Sequence, residues 1–266
     1  KTYKPYFNYE VTADVVDING ETHSSVTTVR VGYLAIEADL SVSDNMDGAA
    51  ENKIAISTNN LNGEPEPTDV TIKVYSLLEP AQTKKARLWD EPDKFSMSKQ
   101  EHDKLFPYEV YDNEDMMSNW KTDALVNTYV FNTGKQKEVV ISPASLKSGA
   151  YRIEFSCRDK NGQPIEFKKT FTVSSAADLS PTPKSFAFFK VEKTTVKPGE
   201  NIRYKIGSSM QNAFAVIEIA FKGKQLDKKV VSLNNEIKSF SFAVKEDYKG
   251  GVEISYVLVN KNRNYA

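Results

Sequence analysis

Residues 151–162 contain the pattern that most constrains the fold, because it occurs three times along the chain. The stretch reads Tyr-Arg-Ile-Glu-Phe-Ser-Cys-Arg-Asp-Lys-Asn-Gly, and related stretches occupy residues 9–20 and, in degraded form, 252–263. In each copy apolar residues take alternate positions, which is typical of a strand with one buried and one solvated face. A turn sequence ends each copy. The pattern therefore predicts an array of antiparallel β domains, each closed by a hairpin.

The Asn-Gly dipeptides at residues 19–20 and 161–162 predict tight turns. A primed two-residue turn needs positive φ at both central residues, and Asn and Gly tolerate that backbone cheaply. Asp17 and Asp159 precede these dipeptides by two positions, so we interpret them as local acceptors of turn N–H groups. Cys157 lies in the apolar register before the second turn, which predicts a buried, unreactive thiol.

The charge balance argues against nucleic acid or an anionic membrane as a partner. Lysine and arginine total 35 against 36 acidic residues, a net charge of -1, so no strong field steers the chain to a polyanion. No apolar run approaches the roughly 18 residues of a membrane helix. We therefore expect neither nucleic-acid binding nor membrane contact by this segment.

Strand and turn patterns predict three domains. Residues 1–34 hold one hairpin, interpreted as the end of a preceding, truncated domain. Residues 35–176 form a sandwich, and residues 177–266 form a second sandwich that lacks its last strand, after a linker-like stretch at 174–184. We expect the open edge of this last domain to pair with another chain or with the N-terminal hairpin. Strands are expected at residues 7–16, 21–31, 34–44, 51–58, 70–77, 138–141, 186–191, 202–206, 213–221, 229–233, 237–244 and 251–259.

An insertion of about residues 79–136 interrupts the strand pattern of the first sandwich. Ser98 followed by Glu101 fits a capping box, which predicts a short helix over residues 99–105. Aromatic side chains are expected to pack the insertion onto one face of its host sandwich as an Ω-like loop. We favour a private mini-core for these rings and keep open the alternative of an interaction patch. The patch residues would be Trp89, Phe106, Tyr108, Tyr111 and Trp120.

The order and spacing of these elements resemble the α2-macroglobulin family in its bacterial, envelope-associated form. The resemblance rests on a domain-opening Thr-Val-Lys-Pro-Gly-Glu at residues 195–200, the closing Asp-x-Asn-Gly hairpins, and about 90 residues per domain without the insertion. The insertion, with Trp-Asp-Glu-Pro-Asp at residues 89–93, Phe-Pro-Tyr at 106–108 and Trp120, is similar to one in macroglobulin domains of Bacteroidetes homologues.

The resemblance implies an all-β chain of tandem fibronectin- or Ig-like macroglobulin sandwiches, with one large, partly irregular insertion. It implies a structural segment of a protease-trapping protein, periplasmic or outer-membrane-associated, with neighbouring macroglobulin domains and target proteases as partners. Many family members carry an internal thioester in a Cys-Gly-Glu-Gln motif. Cys157 stands in Phe-Ser-Cys-Arg-Asp instead, so no thioester is carried over, and no bait region can be assigned.

No residue pattern predicts catalysis, a cofactor or a metal. His23 is interpreted as a partly buried strand residue and His102 as a solvated helix residue, and neither belongs to a His-Glu-x-x-His motif. Acidic stretches at residues 44–48 and 112–115 could supply oxygen ligands to calcium, but they lack EF-hand spacing and plain turns are favoured. The sequence indicates no particular carboxylate pair for glycoside hydrolysis. It also contains no Gly-x-Ser-x-Gly motif that would indicate a serine triad.

Three functions stay open from the sequence. A non-catalytic segment of a protease trap leads, on the resemblance. The rival is an Ig-like adhesion or carbohydrate-associated module, with the aromatic insertion as its binding face. An enzyme is the least favoured, because no catalytic constellation is found.

Overall fold

A computed structural model of the chain describes residues 5–88, 90, 92–261 and 263–265. Strands predominate, as the period-two alternation predicts, and the fold class is all-β. In the first half of the chain, the strands are β1 Tyr6–Val16, β2 Thr22–Gly32, β3 Ile36–Ser41, β4 Asn45–Asp47, β5 Asn52–Asn60, β6 Asp69–Leu77 and β7 Thr122–Asn132. They are followed by β8 Glu138–Ile141, β9 Gly149–Arg158, β10 Pro164–Ser174, β11 Phe188–Val191, β12 Asn201–Ser208, β13 Ala213–Phe221, β14 Lys224–Leu233, β15 Glu236–Ala243, β16 Glu253–Asn260 and β17 Arg263–Asn264.

Helical structure is confined to short segments. The helix α1 spans Lys99–Leu105, as predicted, and the N–H of Glu101 donates to Oγ of Ser98 at 3.3 Å, so Ser98 is its N-cap. Single 3-10 turns span Met117–Asn119, Pro143–Ser145 and Glu246–Tyr248. Among the described residues, no helix has the length and apolar character needed to cross a membrane.

The chain divides into two compact units. The first comprises Lys1–Ser76, Thr122–Leu146 and Tyr151–Phe171, and the second comprises Leu77–Lys121, Lys147–Ala150 and Thr172–Ala266. Most of the insertion therefore belongs to the same unit as the C-terminal sandwich. The packing of the insertion onto its host sandwich stays a prediction.

The first unit contains a sandwich of two antiparallel sheets and the N-terminal hairpin. One sheet has the order β4-β10-β9-β6-β7 and the other has β3-β5-β8, while β1 and β2 form a two-stranded sheet of their own. Alternate residues of β3, β5, β6 and β8 fill the core, as the pattern predicts, whereas every residue of β1 is exposed, contrary to the predicted buried face. The fully buried side chains include Leu40, Ile54, Ile72, Ile141, Ile153, Phe155 and Phe171.

Two elements of this sandwich depart from the sequence prediction. Residues 122–132, predicted to belong to the insertion, form the sheet strand β7, so the irregular segment ends near Lys121. This strand lies at a sheet edge and leaves Leu125 and Val130 exposed, which hides its alternation. The stretch around Asn45–Asp47, predicted as a turn, includes the short strand β4, because buried Met46 anchors it beside β10.

The two Asp-x-Asn-Gly sequences close hairpins as predicted, but through a different turn. In the first, the N–H of Gly20 donates to the carbonyl of Asp17 (3.0 Å), and Gly20 alone of the turn residues has positive φ (84°). The second repeats this with Gly162 and Asp159, at 2.9 Å and φ 79°. The prediction of positive φ at both Asn and Gly is therefore wrong. A glycine in the left-handed region after an ordinary turn gives the hairpin its reversal.

The second unit contains sheets of order β11-β12-β15 and β14-β13-β16-β17. Its core is apolar and includes Tyr204, Ile206, Ile217, Ile219 and Leu258. The last strand, predicted to be absent, begins as β17, whose Asn264 pairs with Val259 of β16. The N-terminal hairpin is a two-stranded sheet of its own, so of the two predicted partners of the open edge, another chain stays a prediction.

Candidate functional site

The insertion, residues 78–121, carries the residues predicted as an interaction patch, and it contacts the C-terminal sandwich. The ring of Tyr108 meets Phe186 edge-on at 5.9 Å between centroids. Glu109 accepts a hydrogen bond from Arg263 at 2.8 Å. An aromatic contact and an ion pair thus join the insertion to this sandwich.

Aromatic rings form a small core inside the insertion, which is the interpretation favoured from the sequence. Tyr111 stacks on Phe95, with centroids 4.3 Å apart, and its hydroxyl donates to the carbonyl of Met97 at 2.9 Å. Arg87 ties this core together, because its guanidinium donates to the backbone carbonyls of Tyr111 at 2.7 Å and Asp112 at 3.2 Å. No local pattern in the sequence indicates this role of Arg87.

The predicted patch residues do not share one surface. Phe106 and Tyr111 line the same cavity, whereas Trp120 lines a different one beside Leu78. The indole N–H of Trp120 donates a hydrogen bond to the carbonyl of Glu114 at 2.8 Å. Tyr108 packs on Phe186 in the sandwich. Trp89 lies outside the described residues.

A cavity of about 480 Å³ opens within the second unit between the helix α1 and the segment that precedes it. Its apolar wall comes mainly from side chains of the insertion, and cationic side chains also line it. The apolar lining includes Leu88, Phe95, Met97, Phe106, Val110 and Tyr111. Cavities of this size and polarity accommodate small ligands. Glu109, the one carboxylate among the described residues that line it, already binds Arg263.

His102 lies in this cavity wall, not in solvent as predicted. Its ring contacts Tyr111 and Phe106, with centroids 5.2 and 5.5 Å away, and only 15% of its side chain is exposed. Nδ1 is buried without a hydrogen-bond partner. His102 comes four residues before Phe106, and residues at this spacing are neighbours on a helix surface. This spacing is the sequence signal that could have predicted the contact between the two rings.

Glu114, in the acidic stretch at residues 112–115, caps the loop. One carboxylate oxygen of Glu114 accepts the N–H groups of Tyr111 (3.1 Å) and Asp112 (2.9 Å), and the other pairs with Lys99. Burial alone would raise the pKa of Glu114, but the Lys99 ammonium and the backbone N–H groups lower it below its usual value. The carboxylate is therefore committed to structure.

Cys157 is buried on β9, as predicted from its register. Burial, with the negative charge of Asp159, raises the pKa of its thiol to about 11. A thiol protonated at neutral pH is a poor nucleophile and a poor metal ligand. Its position is that of a core residue.

The architecture defines a class, namely tandem antiparallel β-sandwich modules. No family model matches the sequence, and no curated protein matches it. Among solved structures, the chain is similar to native alpha-2-macroglobulin of Escherichia coli, with a TM-score of 0.33, 9% identity, and coverage of 96% of this chain and 16% of that one. For the trypsin-activated alpha-2-macroglobulin of E. coli, the TM-score is 0.33 and the identity 11%, with coverage of 97% of this chain and 22% of that one.

A tetra-tandem repeat from the extending region of a large adhesion protein is also similar, with a TM-score of 0.25, 14% identity, and coverage of 98% of this chain and 54% of that one. Bacterial alpha-2-macroglobulins, the family that the sequence resembles, are thus among the solved structures similar to this chain. The chain spans 16% to 22% of the length of these two alpha-2-macroglobulins.

Proposed function

We propose that this chain is a non-catalytic structural segment of an alpha-2-macroglobulin-like protein that traps proteases at the bacterial envelope. The observation that carries the proposal is the tandem array itself: two sandwiches, each ending in a hairpin at the repeated sequence, β9–β10 and β16–β17. Serial modules of this kind position functional elements supplied elsewhere in a chain. The Lys-Pro-Gly-Glu opening at residues 197–200 adds the sequence resemblance.

The side chains that could have carried chemistry support a structural role. Glu114 and Asp159 accept backbone N–H groups, and Cys157 is a protonated core residue. In this proposal the partners are neighbouring macroglobulin domains and the target proteases, and the location is the periplasm or the outer membrane.

The test is a protease-trapping assay on the longer protein that contains this segment. The protein is incubated with trypsin, and residual activity is measured on a small chromogenic peptide and on a large protein substrate. A trap encloses the protease, so we expect activity on the large substrate to fall while peptide cleavage persists. Equal inhibition of both substrates, or of neither, contradicts the proposal.

The cavity in the insertion favours a second candidate, an Ig-like adhesion or carbohydrate-associated module. Its apolar wall and exposed Phe106 (41%) would form the binding face. Glycan-array binding that is lost in Phe106→Ala, and kept in Tyr9→Ala outside the insertion, would support this candidate. No glycan binding by the wild type would exclude it.

A further inference from the structure

Three metal-ligating side chains meet at the turn end of the first hairpin. Asp17, Glu21 and His23 each offer one ligand atom, and these atoms lie within 4.8 Å of one another. The N–H of Asp17 donates to the carbonyl of Glu21 at 2.9 Å, so the two carboxylates are neighbours across the hairpin. His23, opposite Val15 in the register, follows Glu21 by two positions and shares its face.

The hydrogen bonds of the turn involve only the carboxylate of Asp17 among these three side chains. Oδ1 of Asp17 accepts the N–H groups of Asn19 at 2.8 Å and Glu21 at 2.9 Å. Oδ2 has a longer contact, 3.4 Å, with the side-chain amide of Asn19. Glu21 and His23 are exposed and Asp17 is half-buried, so the prediction of a partly buried His23 is wrong, and one Asp17 oxygen, the Glu21 carboxylate and the His23 imidazole can reach an ion.

The charge arrangement favours a cation at this place. Like charges directly opposite each other on paired strands are destabilising. In the described part of the chain, neither Asp17 nor Glu21 forms an ion pair with a lysine or arginine. A divalent cation between the carboxylates would offset their repulsion.

The second hairpin has the same turn without these ligands, so it serves as an internal reference. Asp159 accepts the two equivalent N–H groups at 2.9 and 2.8 Å. Gln163 and Ile165 stand where the first hairpin has Glu21 and His23. The turn therefore forms without a second carboxylate or an imidazole, and turn formation does not account for either residue.

We propose that Asp17, Glu21 and His23 bind a divalent first-row transition-metal ion of the Zn²⁺ type. One imidazole nitrogen with two carboxylate oxygens suits Zn²⁺, Co²⁺ or Ni²⁺, whereas Ca²⁺ prefers six to eight oxygens. Three protein ligands leave coordination positions for water or for a group from a partner. The site goes beyond the proposed function and does not depend on it.

The test is calorimetric titration of the metal-free 266-residue chain with ZnCl₂, with Co²⁺ absorption as a second readout of coordination. We expect one ion per chain. Glu21→Gln combined with His23→Thr, which removes two ligands at exposed positions, should weaken binding at least about tenfold. The chain has two histidines, so His102→Gln is the matched control and should leave the affinity unchanged.

Two results would overturn the proposal: no binding at millimolar Zn²⁺, or binding of the same affinity in the double variant. Backbone amide NMR signals of Asn19 and Glu21, whose N–H groups the turn holds, report whether the variant keeps the hairpin. If it does not, the single variant His23→Gln is titrated, and an affinity equal to that of the wild type refutes the site.

Discussion

The first and second hairpins share a turn and a strand pattern, yet their apolar faces lie in different surroundings. Asp17 and Asp159 accept equivalent turn N–H groups in the two copies. Ile153 on β9 is fully buried, whereas its counterpart Val11 on β1 is 49% exposed. The turn is therefore determined by its local sequence. Burial of the strand is determined by what the rest of the fold packs against it.

The largest expected difference between the hairpins is in core packing. Ile153→Ala should lower the free energy of unfolding by about 2–5 kcal/mol, because it opens a cavity in a filled core. Val11→Ala, at the matching exposed position, should change it by at most about 0.5 kcal/mol. Urea unfolding of both variants measures the difference. Equal losses would show that the first hairpin is packed as the second is.

Thiol reactivity should separate the same two strands. At pH 8, a pKa of about 11 makes alkylation of Cys157 by iodoacetamide about 100-fold slower than in the unfolded chain, from the thiolate fraction alone. Val15→Cys, made in a Cys157→Ser background, places a thiol at the equivalent exposed position and should react at an ordinary rate. Similar alkylation rates for Cys157 and for the thiol of Val15→Cys would contradict the burial of Cys157 on β9.

The raised pKa of Cys157 also predicts a pH dependence of stability. Between its unfolded value of 9.0 and its folded value of about 11, the unfolded chain releases the thiol proton while the native state keeps it. The native state therefore loses stability as the pH rises through this window. The loss should be smaller in Cys157→Ser, the control, which removes the thiol but keeps other groups whose pKa is raised by burial, such as Tyr204.

Loss of the turn carboxylate should have unequal effects in the two copies. Asp159 also accepts the N–H of Ala35 at 2.9 Å, which fixes the chain entering the sandwich. Asp159→Ala should therefore cost about 1–3 kcal/mol, because three partly buried hydrogen bonds to backbone N–H groups are lost. Asp17→Ala should leave global unfolding unchanged and only speed hydrogen exchange at the turn. A cost for Asp17→Ala as large as that for Asp159→Ala would refute this difference.

The smallest expected effect is the titration of the first turn. The N–H of Glu21 is the main group that lowers the pKa of Asp17 below 3.8. The turn contacts should thus be complete above pH 3.8 and lost as the pH falls through the lower, folded pKa. The amide shift of Asn19 follows this titration by NMR, and Asp17→Asn is the control. A titration midpoint of Asp17 at or above 3.8 would contradict its hydrogen bonds to the turn N–H groups.

Sequence alone predicted the elements that depend on local pattern. The closing hairpins, the N-cap Ser98 and the buried Cys157 follow from alternation and from side chains that bond to nearby backbone. It missed β7, because an edge strand with exposed Leu125 shows no clean alternation. It also predicted the wrong turn type, because Asn-Gly fits either a primed turn or a turn that ends in a left-handed glycine.

For the candidate site, the sequence predicted which types of residue take part but not which residues contact one another. Aromatic content indicated a packed insertion, but the partners of each ring depend on tertiary contacts that no local pattern encodes. Tyr108 packs on Phe186, far along the chain, and His102 closes a cavity wall although its neighbours in sequence are charged. Likewise, Asp17 and His23 meet only because the hairpin register brings them to one face.

We propose that this segment is scaffold for a protease trap. It is tested most directly by one ratio in the longer protein: residual trypsin activity on a large protein substrate divided by that on a small peptide, after incubation with the protein. We expect a ratio well below that of free trypsin, because the enclosed protease reaches only small substrates. A ratio equal to that of free trypsin would contradict it.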